Sequence, residues 1–178
     1  MESSVSGKSG VPREEGKTSI SVLFVCMGNI CRSPLAEGIF RDGLVQAQLA
    51  DFVTVDSAGT GNWHQGEAPD VRSVETAARH GIDISGQRAR QLVPEDFEIF
   101  DMIFAMDRSN EATMRARAPS ARHDRIFLFL DHTLGSRADV PDPYYGGVDG
   151  FEDVYQLLRE GCTELVSRLG RELRQPSG

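Results

Sequence analysis

The sequence predicts an α/β fold, a parallel sheet with helices on both faces. Two observations carry this. Four short runs rich in β-branched and aromatic residues recur along the chain, and the segments between them space their apolar residues as helices do. The 178 residues suit a single domain with a real core. Residues 1–19, rich in Ser, Gly, Glu and Lys, read as a disordered tail, and residues 20–173 as the one domain.

The first strand is the run Ile20–Val25. A helix is expected from Ser33, with Pro34 suited to its first turn and Leu35, Ile39, Leu44, Val45 and Leu49 as its apolar stripe. Phe52–Val55 reads as the second strand. Residues 70–80 read as a helix that Gly81 is placed to end. A short helix after Pro94 closes at Phe97–Phe100, and Asp101–Ala105 is the third strand. Residues 109–117 form a helix stopped near Pro119, and Arg125–Leu130 is the fourth strand. A loop rich in Pro, Gly and Asp runs to about residue 149. The last helix spans about 151–173 with Val154, Leu157, Leu158, Leu165, Val166 and Leu169 on one stripe; Cys162 falls on that stripe and reads as core.

Composition narrows the function. Hydrophobic residues at 39% and charged residues at 26% fit a soluble globular protein. No apolar run approaches the roughly 20 residues of a membrane helix, and no signal-peptide stretch opens the chain, so the cytoplasm is the expected location. A net charge of -8 argues against nucleic acid as a partner. Three cysteines, at 26, 31 and 162, do not make a disulfide scaffold and fit a reducing compartment with one or two functional thiols.

The chemistry concentrates in the loop after the first strand, Cys26-Met27-Gly28-Asn29-Ile30-Cys31-Arg32-Ser33. It must turn sharply between a strand and a helix. Gly28 removes bulk, and Asn29 tolerates the left-handed conformation. Successive N–H groups in such a loop, next to a helix N-terminus, form an anion nest. Arg32 adds a planar fork for two phosphate oxygens. These features favour negative charge at one point, on a bound phosphate and on the Cys26 sulfur alike. A thiolate beside a phosphate cradle indicates covalent phosphoryl transfer through a phosphocysteine. Ser33 is placed to hydrogen-bond the sulfur. A Walker-type loop is excluded by the missing Gly-Lys-Ser/Thr element, and a zinc site by the cysteine spacing, so no metal or cofactor is expected.

Val25-Cys-Met-Gly-Asn-Ile-Cys-Arg-Ser-Pro34 resembles the signature of the low-molecular-weight protein tyrosine phosphatases. The resemblance continues in Asp56-Ser-Ala-Gly-Thr-Gly-Asn-Trp63, Arg79-His-Gly-Ile82, Ala105-Met-Asp107 and Asp142-Pro-Tyr-Tyr-Gly146, and covers roughly residues 20–172. It implies a four-stranded parallel sheet of order 2-1-3-4 with the phosphate loop after strand 1. Among the acids of the 139–150 loop (Asp139, Asp142, Asp149), it implies Asp142 as the general acid that protonates the leaving oxygen and then serves as base on water. It places Trp63, Tyr144 and Tyr145 at the substrate rim, and makes Asn29, Ser57 and His80 a supporting network behind the loop. Asp107 matches a family position and also suits a helix cap. Cys31 stands where many relatives carry a cysteine able to form a reversible disulfide with the nucleophile.

The activity so implied is metal-independent hydrolysis of phosphotyrosine and small aryl phosphates. The implied partner is a phosphotyrosine-bearing protein, a tyrosine kinase among the candidates. Inorganic phosphate is the product, and the protein is expected to be a monomer or weak dimer without membrane insertion. Three rival functions fit the sequence less well. A thiol-dependent arsenate reductase would relay oxidation through further cysteines, of which only Cys162 is present. An arginine phosphatase of the same family has Thr where this chain has Ile30, and the apolar Ile30 favours an aryl ester. A catalytically idle phosphate-binding or redox-sensing module would have no need of Cys26, Arg32 and Asp142 together.

Overall fold

In the computed structural model, residues 19–174 are described. The expected tail, all but its last residue, lies outside the described residues. Strand β1 (Ile20–Cys26) sets the layers, because successive side chains of a strand face opposite sides. Val22, Phe24 and Cys26 point into one core cluster, and Leu23 and Val25 into another. A strand apolar on both faces must be central and covered twice.

It pairs in parallel with β2 (Val53–Gly59) on one side and β3 (Met102–Ala105) on the other, and β3 pairs with β4 (Ile126–Leu128). The order is β2-β1-β3-β4, as expected. The larger core lies under helices α1 (Arg32–Gln46), α2 (Val71–Arg79), α5 (Phe129–Leu134) and α6 (Val148–Arg174). Its centre is a cluster of rings in which Phe24 touches Phe40, Phe104 and Phe129. The smaller core lies under α3 (Asp96–Ile99) and α4 (Arg108–Arg117), which bring in Phe97 and Met114.

Local chemistry explains the helix ends. Asp70 caps α2 by accepting from Arg72 N, and Gly81, at φ +79°, supplies the left-handed residue just past its end. Asp107 caps α4 by accepting from Asn110 N. Three elements differ from what the sequence predicts. The stretch Phe129–Leu130 is not the end of the fourth strand but the start of α5. Val45 is 60% exposed and leaves the apolar stripe of α1, while Leu49 packs beyond the helix end. β2 runs on to Gly59, because its backbone stays paired with β1 as far as Cys26.

Candidate active site

All four strands run the same way, so β1 and β3 end at one edge of the sheet, where open α/β sheets bind ligands. Cys26 is the last residue of β1, and α1 begins at Arg32. The loop between them is held from outside by its carbonyls. Those of Cys26, Met27 and Ile30 accept from the backbone N–H groups of Thr60, Gly61 and Asp70 at 2.8–2.9 Å. That of Cys31 accepts from Ser73 Oγ at 3.3 Å. With these carbonyls turned outward, planar peptides aim their N–H groups the opposite way, into the cleft. Gly59 makes this close approach possible: a Cβ there would sit 2.8 Å from the Met27 carbonyl oxygen.

Asn29 takes the left-handed conformation, φ +58°, and its side chain is a buried tie. Its Nδ2 donates to Ser33 Oγ at 2.8 Å and to Ser57 Oγ at 3.0 Å, and its Oδ1 accepts from Arg90 N at 3.0 Å. Ser57 in turn donates to the buried Glu37 carboxylate at 2.7 Å, whose other oxygen takes Arg41. Ser33 Oγ, already an acceptor from Asn29, lies 3.0 Å from Cys26 Sγ and so has its own proton to offer the sulfur.

His80 does not join this network. It stands at the C-terminal end of α2, where its Nε2 pairs with Glu152 at 2.9 Å and its ring stacks on Tyr155 at 3.8 Å. The reason is a helix end that faces α6, not the loop behind Cys26. Arg90 and Glu37 occupy the supporting positions instead.

Arg32 is buried, with its NH1 on Asp107 Oδ2 at 2.7 Å and on the Val140 carbonyl at 3.0 Å, and its NH2 3.7 Å from Asp142 Oδ2. Burial works against its charge. The Cys26 sulfur, the Asp107 hydrogen bond and Asp142 outweigh that effect and hold the guanidinium's pKa above its ordinary value. Asp107 therefore does two jobs, capping α4 with one oxygen and orienting Arg32 with the other. Asp142 is one-third exposed and accepts from Tyr144 N at 3.0 Å, an Asx turn that fixes its carboxylate over Arg32.

These residues line one cleft of about 270 Å³. Cys26 and Arg32 lie at its base, and Asp142, Trp63, Tyr144 and Tyr145 stand around it with Ile30 and Cys31. Trp63 is two-thirds exposed and lies against Gly61, where a Cβ would fall within the ring. Burial first, then Asp70, Cys26 and Asp142, push the Cys31 thiol up to about 12 against the pull of Arg72. Cys31 thus stays protonated near neutrality and adds no charge of its own to the cleft. His64, which sequence reasoning did not single out, also lines it; its ring covers Gly28 and its Nδ1 pairs with Glu67 at 3.0 Å. Only its place next to Trp63 hinted at this. Among the described residues, no group of three or more His, Cys, Asp or Glu side chains is arranged to hold a metal ion.

A cleft with this base, at this edge of this sheet, is built to hold a phosphate-sized anion beside a cysteine sulfur. Residues 21–175 match the model of the family described as low molecular weight phosphotyrosine protein phosphatase. The low molecular weight protein-tyrosine-phosphatase YfkJ of Bacillus subtilis is 46% identical over 154 residues, 86% of this chain and 97% of its own. Its crystal structure matches with a TM-score of 0.82 at 44% identity, covering 89% of this chain and 98% of that one. A structure of the YwlE arginine phosphatase with a phosphorylated active-site serine matches with a TM-score of 0.78 at 28% identity, covering 86% and 100%. The chain belongs to the low molecular weight phosphotyrosine protein phosphatase family.

Proposed function

We propose that the protein hydrolyses phosphotyrosine in a protein substrate, and small aryl phosphates, through a phosphocysteine on Cys26. The observation that carries this reading is the convergence of Cys26, Arg32 and Asp142 on one cleft walled by aromatic rings. The phosphate sits in the N–H nest with its oxygens on the Arg32 fork. The Cys26 sulfur attacks phosphorus in line, and Asp142 gives a proton to the departing phenolate oxygen. Water, deprotonated by Asp142, then attacks the phosphocysteine, with Ser33 donating to the sulfur as it leaves. Inorganic phosphate is released.

The flat walls of Trp63 and Tyr144 and the apolar Ile30 support an aryl ester over phosphoarginine. No helix among the described residues is long and apolar enough to cross a membrane, and three free thiols suit the cytoplasm as the working compartment.

The test compares phosphotyrosine, phosphoserine and phosphoarginine peptides without added metal. Phosphotyrosine is expected to be hydrolysed far faster than the other two, and Cys26→Ser to abolish turnover. Asp142→Ala is expected to hurt phosphotyrosine more than an ester of a highly acidic phenol, which needs less protonation. Preference for phosphoarginine moves the substrate class to that of YwlE; retained turnover in Cys26→Ser refutes the mechanism.

A further inference from the structure

The acid loop is tied to the phosphate loop through Arg72, a residue on the first turn of α2. Its guanidinium lies 4.6 Å from the centre of the buried Phe151 ring and 5.4 Å from that of Tyr144. Asp70 holds the fork flat, taking Nε at 3.0 Å and NH2 at 2.9 Å. Asp70 also donates its own N–H to the Ile30 carbonyl at 2.8 Å, and Ser73 on the same helix donates to Cys31. On the other side, Tyr144 N is the group that fixes the Asp142 carboxylate. The chain of contacts thus runs from the phosphate loop through Asp70, Arg72 and Tyr144 to Asp142.

We propose that Arg72 is a positioning residue for proton transfer: by holding the Tyr144 ring it holds the turn that aims Asp142. This deepens the function proposed above and rests on it. The α2 cap does not need the Arg72 side chain, since Asp70 caps through Arg72 N. What the guanidinium adds is the pair of rings. In the held arrangement Asp142 stands 3.7 Å from Arg32 NH2, beside the place of the substrate phosphate. An acid loop released from Arg72 lets the Tyr144 turn, and with it the Asp142 carboxylate, leave that position. Lysine keeps the charge but lacks the planar fork that Asp70 grips. A cation facing two rings, one of them buried, is a contact worth roughly five- to tenfold in an equilibrium or rate.

The experiment measures kcat/KM over a series of aryl phosphates of graded phenol acidity. Arg72→Met is expected to lose roughly five- to tenfold on tyrosine-like phenols and about twofold or less on 4-nitrophenyl phosphate, with Arg72→Lys between it and the parent. Combined with Asp142→Ala, Arg72→Met is expected to add little on any ester, because both act on one proton transfer. Arg79→Ala, which removes a cation from the far end of the same helix, is expected to leave the leaving-group dependence unchanged. Equal loss on all esters, or full additivity with Asp142→Ala, overturns the proposal.

Amide exchange at Tyr144 reads the same contact without catalysis. Arg72→Met is expected to speed it about tenfold, and unchanged exchange overturns the positioning role. A parent protein that hydrolyses no aryl ester refutes the proposed function instead, and the exchange result still decides the contact.

Discussion

Asn29→Ala tests whether the phosphate loop is held open by a side chain. Asn29 sits at φ +58°, where alanine pays the left-handed penalty of roughly 1 kcal/mol that asparagine largely escapes. Three hydrogen bonds at 2.8–3.0 Å are lost with the amide, each worth about 1 kcal/mol net. Arg90 N is left without its acceptor, whereas Ser57 keeps Glu37 and Ser33 keeps Cys26. The expected destabilisation is about 4 kcal/mol, or roughly 8–16 °C in Tm for a domain of this size. Turnover of 4-nitrophenyl phosphate is expected to fall by up to about 10²-fold, the scale of one misaligned donor in an anion hole. Asn29→Gly separates the contributions: it loses the same bonds but accepts the positive φ, so it should be more stable than Asn29→Ala by up to roughly 0.5 kcal/mol after its own entropy cost. Chemical denaturation with matched m-values measures all three proteins. Asn29→Ala within about 1 kcal/mol of the parent, or alanine more stable than glycine, would refute the reasoning.

Asp107→Ala removes the cap of α4 and the partner of a buried guanidinium, and is expected to cost about 3 kcal/mol and most of the activity; Asp107→Asn keeps the cap and should be clearly milder by denaturation and turnover. Asp70 is held below the ordinary carboxylate range, first by its hydrogen bond to the Arg72 side chain. Its folded pKa is thus lowered, so its charge stabilises the fold above the unfolded value and that contribution is lost as pH falls through the folded value. Asp70→Asn, which keeps a cap, should therefore be less stable than the parent at neutral pH, with the gap closing below pH 3.8 in urea titrations. Burial pushes the Cys162 thiol well up, and Cys31 is at about 12. Iodoacetamide on the folded protein at about pH 8 should label Cys26 and spare the other two by peptide mass mapping, with inorganic phosphate slowing the reaction; prompt labelling of Cys162 would contradict its place in the core.

The parts of the fold legible in the sequence are those where local chemistry and tertiary context agree. β1 is apolar from Val22 to Cys26 because it is central, and α2 and α4 announce their caps in Asp70 and Asp107. The Phe127–Leu130 run is apolar at every position, so period cannot separate a strand from a buried helix, and packing against α6 decided for a helix from Phe129. Gly59 carries no strand signal, since its pairing with Cys26 is set by the partner strand.

The site divides along the same line. The loop from Cys26 to Ser33 is contiguous, so its turn, nest and arginine can be read from one stretch of sequence. Asp142 and Trp63 reach it from other loops, where the residues alone offered three acids (Asp139, Asp142, Asp149) and a loop aromatic, and the resemblance was needed to assign the roles. A resemblance transfers a position along the chain but not the direction of a side chain. His80 shows the difference: its motif matches, yet the end of α2 turns it to Glu152 and Tyr155. The atoms that hold Asn29 are instead a backbone N–H, at Arg90, and two serine oxygens, one of them backed by a carboxylate a turn along α1. A backbone donor has no residue-type signature, which is why this part of the site could be found only in three dimensions.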